Sequence, residues 1–300
     1  MIITSVTDGV SRGIGYCSIV IRPVDDEDDI NEYDSIYVEW SKGSNPEFAE
    51  LELIASGLVE FANTKIVLGR LGQIICISDG VFIQEQIQGP ENYGFLTDIK
   101  VIDGLIYVVG MCRQVYVSSN GRVWDKFDDG VLDESIRIDK VTGFRGIDGV
   151  SNKDLYAVGL DGEIWNYRNN KWRKIESPTN VTLEQVKVIS SDEVYAIGQA
   201  GVILRGDGEI WEVFEQTDTG DDFWTLEWFN STLYLATSTN LYILNSKGDF
   251  EKSTPIKEGP RNFSRLRSSE GVLWSFGPEK VYWTLDGKIW EEFQIFESSS

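Results

Sequence analysis

Carboxylates are the one reactive group this chain holds in abundance: 49 Asp and Glu stand against 27 Lys and Arg, a net charge of −22 over 300 residues. Two carboxylates at a set separation can cleave a glycoside, but among so many acids that spacing arises by chance and singles out no pair. Histidine is absent altogether. That removes Ser-His-Asp and Cys-His catalysis, His-ligated zinc or haem, and any imidazole general base. Cys17, Cys76 and Cys112 are odd in number and lack CxxC spacing, so they read as reduced structural thiols. The pieces GRLGQ and GLDGE follow strands without opening helices, unlike a phosphate cradle. No catalytic residue, metal ligand or cofactor is expected, and the chain reads as non-enzymatic.

The acids can instead act through charge. Nucleic-acid binding needs a basic face to neutralise phosphates, so no nucleic acid is expected, and a basic protein is the natural partner. The run Asp25, Asp26, Glu27, Asp28, Asp29 reads as a solvated loop, since it lacks the Gly and terminal Glu of an EF-hand. More telling are irregular stretches in which acids sit beside aromatics, the composition of a protein-binding hot spot. They give the candidate partner-binding residues Glu91, Tyr93 and Phe95; Asp128, Asp129, Asp133 and Glu134; Asp221, Asp222, Phe223 and Trp224; and Phe263. The competing expectation is that Phe95, Phe223 and Phe263 open inner strands and fill the middle of the fold. The acids from Asp128 to Glu134 are expected at the surface, because unpaired carboxylates are rarely buried.

Regular elements must hold these stretches, and they repeat. IVLG ends at Gly69, YVVG at Gly110, YAVG at Gly159, YAIG at Gly198, YLAT at Thr237 and WSFG at Gly277. An aromatic follows each, at Phe82, Trp124, Trp172, Trp211, Phe250 and Trp290. Both markers recur about every 40 residues, the length of one propeller blade. Within a unit, TDIKVID, LIYVVG, QVYVSS and RVWDKF read as four short strands rich in Val, Ile, Tyr and Trp. Before the aromatic comes a turn holding a short polar residue and a glycine: Asp79 and Gly80, Asn120 and Gly121, Asp207 and Gly208, Asp286 and Gly287. The polar side chain can accept turn N–H groups and glycine supplies positive φ, while Trp124, Trp172, Trp211 and Trp290 fill the wedge between blades.

Thr284-Leu-Asp286-Gly287-Lys-Ile-Trp290 and Ser118-Ser-Asn120-Gly121-Arg-Val-Trp124 resemble the turn of the Asp-box, or BNR, β-propellers, S-x-D-(x)-G-x-T-W. The copies are degenerate, with Ile or Val before the aromatic and Asn169, Asn170 and Lys171 replacing the third Asp-Gly pair. The resemblance implies the fold, which hosts hydrolases, binders and assembly factors alike. Its sialidase members would imply an arginine clamp opening on an F/Y-R-I-P strand. Ile21-Arg22-Pro23 lacks both the aromatic and the intervening Ile, and acidic loops would repel an anionic substrate.

The expected fold is therefore all-β, a single β-propeller domain over residues 1–300 with four antiparallel strands per blade. Residues 57–296 hold the six repeats, residues 1–56 form an atypical N-terminal blade with the acidic loop, and 297–300 are a tail. Seven blades are favoured over six with an appendage, the ring closing by pairing an N-terminal strand with the last blade. The start has no basic segment leading into an apolar one, and no stretch nears the roughly 18 apolar residues of a membrane span. A cytoplasmic monomer without membrane contact is expected. Its expected role is a non-catalytic, acidic inhibitor or immunity-type protein that occludes a basic partner such as a toxin or nuclease. A carbohydrate-binding or glycoside-hydrolysing propeller and an assembly scaffold are the alternatives.

Overall fold

The computed structural model describes residues 3–24, 35–134, 141–216, 220–245, 248, 250–253, 263, 265–278 and 280–293. The acidic run from Asp25 to Asp29, the tail and most of the stretch 256–263 lie outside these residues. Strands follow one another in fours. The first blade holds β1 (Ile3–Ser11), β2 (Tyr16–Val24), β3 (Ser35–Ser41) and β4 (Glu47–Leu51). The second holds β5 (Ala55–Phe61), β6 (Thr64–Gly69), β7 (Gln73–Ser78) and β8 (Val81–Gln86). Next come β9 (Leu96–Ile102), β10 (Leu105–Gly110), β11 (Val115–Ser118) and β12 (Asp125–Lys126), then β13 (Phe144–Ser151), β14 (Asp154–Gly159), β15 (Ile164–Arg168) and β16 (Lys171–Ile175). The fifth blade is β17 (Leu183–Ser190), β18 (Glu193–Gly198), β19 (Val202–Gly206) and β20 (Trp211–Gln216). The last two are β21 (Thr225–Phe229), β22 (Thr232–Ala236), β23 (Leu241–Asn245) and β24 (Phe250–Lys252), and β25 (Arg265–Ser269), β26 (Val272–Phe276), β27 (Val281–Thr284) and β28 (Glu291–Phe293).

Each group pairs antiparallel in chain order, so the fold is a seven-bladed β-propeller. Two readings of the sequence need correction. The N-terminal blade opens with β1, a strand hidden by its polar composition, and EFAELELIA divides between β4 and the start of β5. The last blade also borrows no N-terminal strand, because β25 to β28 complete it from its own segment. Among the described residues no helix is long and apolar enough to cross a membrane.

The blades form two compact units, Met1–Leu58 with Trp224–Ser300, and Val59–Phe223. In the second unit, every residue of β6, β10, β14 and β18 after the first is buried. Such a strand is covered by sheet on both faces, which is why it reads as an unbroken apolar run. Its closing glycine is a requirement of packing: a Cβ on Gly110 would stand 2.6 Å from the Phe95 carbonyl oxygen. First strands are joined by buried carboxylates. Asp98 accepts from the Ile147 N–H at 3.3 Å and Asp148 from the Val188 N–H at 3.0 Å.

Within the other unit Asp8, fully buried on β1, is the counterpart. It accepts from the Leu58 N–H at 3.1 Å and from Arg267 at 2.7 Å, with Arg265 at 3.9 Å. Burial pushes this carboxyl up, but Arg267 and Arg265 outweigh it and hold it below its ordinary range. First and last blades thus meet through an ion pair and a core that joins Val6, Ile19 and Ile21 to Trp274 and Phe276.

The repeat motif is spent on packing. Ser118 Oγ accepts from the Gly121 N–H at 2.9 Å, and Asn120 Oδ1 accepts from the Arg122 and Val123 N–H groups at 2.9 and 3.0 Å. Thr284 and Asp286 repeat this with Gly287, Lys288 and Ile289 at 2.9, 2.8 and 2.9 Å, and Asp207 holds Glu209 and Ile210. A Cβ on Gly287 would strike the Tyr234 hydroxyl, and one on Gly121 would strike Ile66, so these glycines pack on the preceding blade. Gly208 likewise faces Tyr156 and Arg168. Trp172, Trp211 and Trp290 are buried and Trp124 is half-buried. Trp172 donates from Nε1 to the Phe127 carbonyl at 2.8 Å. Asp79-Gly80 and Asn169-Asn170 differ from this pattern. Both pairs have positive φ and close plain two-residue hairpins. RVW, read as strand, belongs to the turn, which leaves β12 two residues long.

Candidate functional site

The connection from β8 to β9 is held from below and open above. Ile87 is buried and donates to the Gly72 carbonyl at 2.8 Å, and Pro90 is buried at the start of a short 3-10 turn. Gly89, at φ 114, lets the chain enter that turn against the Tyr116 hydroxyl. The Gly94 carbonyl accepts from Gln114 Nε2 at 3.1 Å, and the Phe95 carbonyl accepts from the Met111 N–H at 2.9 Å. Outward from this base stand Glu91, exposed, Tyr93, half-buried, and Phe95, 51% exposed. The guanidinium of Arg70 lies 5.8 Å from the Phe95 ring centroid, and Leu71 beside it is 50% exposed.

The connection from β12 to β13 adjoins it. Asp133 donates its N–H to the Cys112 carbonyl at 2.9 Å and accepts from the Thr142 hydroxyl at 3.0 Å. Asp129 and Glu134 are exposed. Asp128 corrects the expectation of a surface acid: it is 6% exposed, and its carbonyl anchors the turn by accepting from the Val131 and Leu132 N–H groups. Burial pushes its carboxyl above the ordinary range, with Lys126 opposing. Burial, then the charges of Asp128 and Glu91, push the Tyr116 phenol up.

Phe95 departs from the expectation that it plugs the fold, because Leu96 takes the buried slot at 1% exposure. Phe223 and Phe263 are buried in the two units at 0% and 4% and present no surface. Trp224, next in the chain, is 37% exposed. Asp221 and Asp222 lie at the second unit's end, where Asp222 accepts from the Ala200 N–H at 2.9 Å. They are not brought to the cluster around Phe95.

Several cations of this unit are engaged in ion pairs. Arg113 makes a two-pronged pair with Glu163 at 2.6 and 2.9 Å, joined by Lys174 at 2.9 Å, and lies 5.4 Å over Trp165. Glu163 is 4% exposed; burial pushes its carboxyl up, and Arg113 and Lys174 more than reverse this. Arg145, Arg168 and Arg173 pair with Glu184, Asp154 and Glu209. Three guanidiniums facing one substrate carboxylate, as a sialidase clamp requires, are not assembled from these, and Arg22 is a half-buried residue late in β2. Among the described residues no group of three Cys, Asp or Glu side chains is placed to hold a metal ion. Arg70, Leu71 and Lys126 are the surface's unanticipated members, with Tyr116 buried beneath them at 1% exposure. Leu71 offered a signal, an apolar residue at the tip of the tight turn GRLG.

A curated relative, the immune protein Tsi7 of Pseudomonas aeruginosa, is 33% identical over 267 residues, covering 85% of this chain and 86% of the relative. This chain belongs to the Tsi7 immune-protein family. No family model matches it. Solved propellers match this Tsi7-family fold at low identity. YCF48 from Cyanidioschyzon merolae gives a TM-score of 0.68 at 9% identity, covering 93% of this chain and 94% of that one. The WD40 propeller domain of Doa1 gives 0.66 at 10%, covering 99% and 95%.

Proposed function

We propose that this chain is a non-catalytic immunity protein that binds a basic protein toxin, such as a nuclease, and occludes it. The observation that carries the reading is the kinship with Tsi7 over nearly the whole length of both chains. The surface that supports it is the part of the Val59–Phe223 unit that carries the exposed apolar groups Phe95 and Leu71, with the exposed acids Glu91, Asp129 and Glu134 on the two connections beside β9 and β12. An apolar centre with a charged rim is the composition of an interface hot spot, and the net charge of −22 would steer a cationic partner onto it.

The chain acts as one propeller domain of Asp-box type, with the turns at Asn120 and Asp286 as scaffold, working as a cytoplasmic monomer. Asp222 and Trp224 are outlying contact candidates. The test is calorimetric titration of the full chain with the basic protein encoded beside it. Saturable one-to-one binding that weakens as salt is added supports the reading, and no binding at low salt removes it.

A further inference from the structure

Asp128 holds a buried carboxylate in the second unit whose backbone hydrogen bonds, from its own N–H and that of Val115, satisfy it only in part. It is 6% exposed, and its Oδ2 has no hydrogen-bond partner among the described residues. A buried carboxylate oxygen left unpaired calls for a reason, because burial without a partner is costly. Its surroundings suggest one. Lys126 stands two residues earlier, opposite Tyr116 in the β11–β12 ladder, and its ammonium lies 5.8 Å from the Tyr93 ring centroid. The Tyr116 hydroxyl, on a side chain buried to 1% exposure, donates to Gln114 Oε1 at 3.0 Å and packs close against Gly89, where a Cβ would lie 3.1 Å from it. Glu91 tops the same turn. These groups gather around Gly89, whose N–H donates to a Glu91 carboxylate oxygen at 3.1 Å and whose missing Cβ would lie 3.8 Å from Lys126 Cε, and the one ammonium among them comes from an exposed side chain of the protein itself.

We propose that Glu91 and Tyr93, over the buried floor of Tyr116 and Asp128, form a subsite that receives an arginine or lysine side chain of the basic protein partner, with Lys126 as the internal cation displaced on docking. This rests on the immunity reading. An organic cation suits the subsite better than a metal ion, because a tyrosine face attracts a guanidinium or ammonium while hard metals need several converging oxygens. Lys126 suits a displaceable occupant, its compact charge sitting on a mobile four-carbon stem.

The test uses the full-length chain, with the basic protein encoded beside it as one probe and N-acetyl-arginine methylamide, followed by NMR of labelled tyrosines, as the other. Lys153→Gln, at an exposed turn elsewhere on the same unit, controls for the change of net charge. Relative to that control, Lys126→Gln is expected to bind the partner about tenfold more tightly. Tyr93→Leu and Asp128→Asn should bind about tenfold more weakly, and Tyr93→Phe like the wild type. Asp128→Asn should melt no lower than the wild type at neutral pH, since it removes a buried charge. Lys126→Gln matching Lys153→Gln, or Tyr93→Leu binding normally, overturns the subsite while leaving the immunity reading intact. If the partner does not bind the wild type, the immunity reading fails and the arginine amide decides. Shifts at Tyr93 that grow in Lys126→Gln sustain the subsite, and their absence overturns it.

Discussion

Two irregular segments of the Val59–Phe223 unit, the turn from Ser118 to Trp124 and the connection from Gln88 to Phe95, are made of similar residues and do opposite work. In the turn, Ser118 and Asn120 accept four backbone N–H groups, Gly121 packs on Ile66, and Trp124 donates to the Gly121 carbonyl. The connection also bonds its backbone inward, and Glu91 accepts from the Gly89 N–H at 3.1 Å, yet Phe95 is exposed and Tyr93 engages an exposed lysine. Where the aromatic is used internally a segment is scaffold, and where its ring is left exposed the segment is available to a partner. The recurring motif is therefore the wrong place to look for activity in this fold.

If that contrast holds, stability and binding should separate by variant. The largest loss is expected from Asp8→Asn, about 3 kcal/mol by urea unfolding, because it strands Arg267 and Arg265 against a neutral group. Its pH dependence has a definite sign. The folded state holds the Asp8 carboxyl below its ordinary value of 3.8, so the contribution is complete above that pH and is lost as pH falls through the lower folded value. The gap between wild type and Asp8→Asn should narrow below pH 3.8. Asp128 runs the other way, its contribution being present below 3.8 and lost as pH rises through its raised folded value.

Trp290→Ala should follow at about 3 kcal/mol, from the cavity left beside Tyr234 and Leu266. Gly287→Ala should cost about 1–3 kcal/mol, since the residue sits at φ 74 and a methyl would strike Tyr234. Both variants should bind the partner like the wild type under conditions where they remain folded. Phe95→Ala should reverse the pattern, changing stability by less than about 0.5 kcal/mol and weakening binding about tenfold or more. A stability loss at Phe95 equal to that at Trp290 would erase the contrast.

Much of the architecture was legible because central strands are covered on both faces and so spell continuous apolar runs ending in glycine. β1 was not, because its defining residue is Asp8, whose partner Arg267 lies 259 positions away. Nothing local marks a carboxylate as the latch between first strands. At the candidate surface, Phe95, Phe223 and Phe263 stand in similar contexts, and only which neighbour takes the buried slot decides between them. Leu96 takes it from Phe95, whereas Phe223 and Phe263 keep it. The burial of Asp128 was illegible for the same reason, being set by Tyr116, Val131 and the turn that Asp128 itself caps.

Calorimetric titration of the full-length protein with the basic protein encoded beside it, at low and at physiological salt, tests partner occlusion most directly. Tight one-to-one binding that loses affinity with salt and falls further in Phe95→Ala is the predicted result. The absence of binding at low salt, or binding indifferent to both salt and Phe95→Ala, would contradict it.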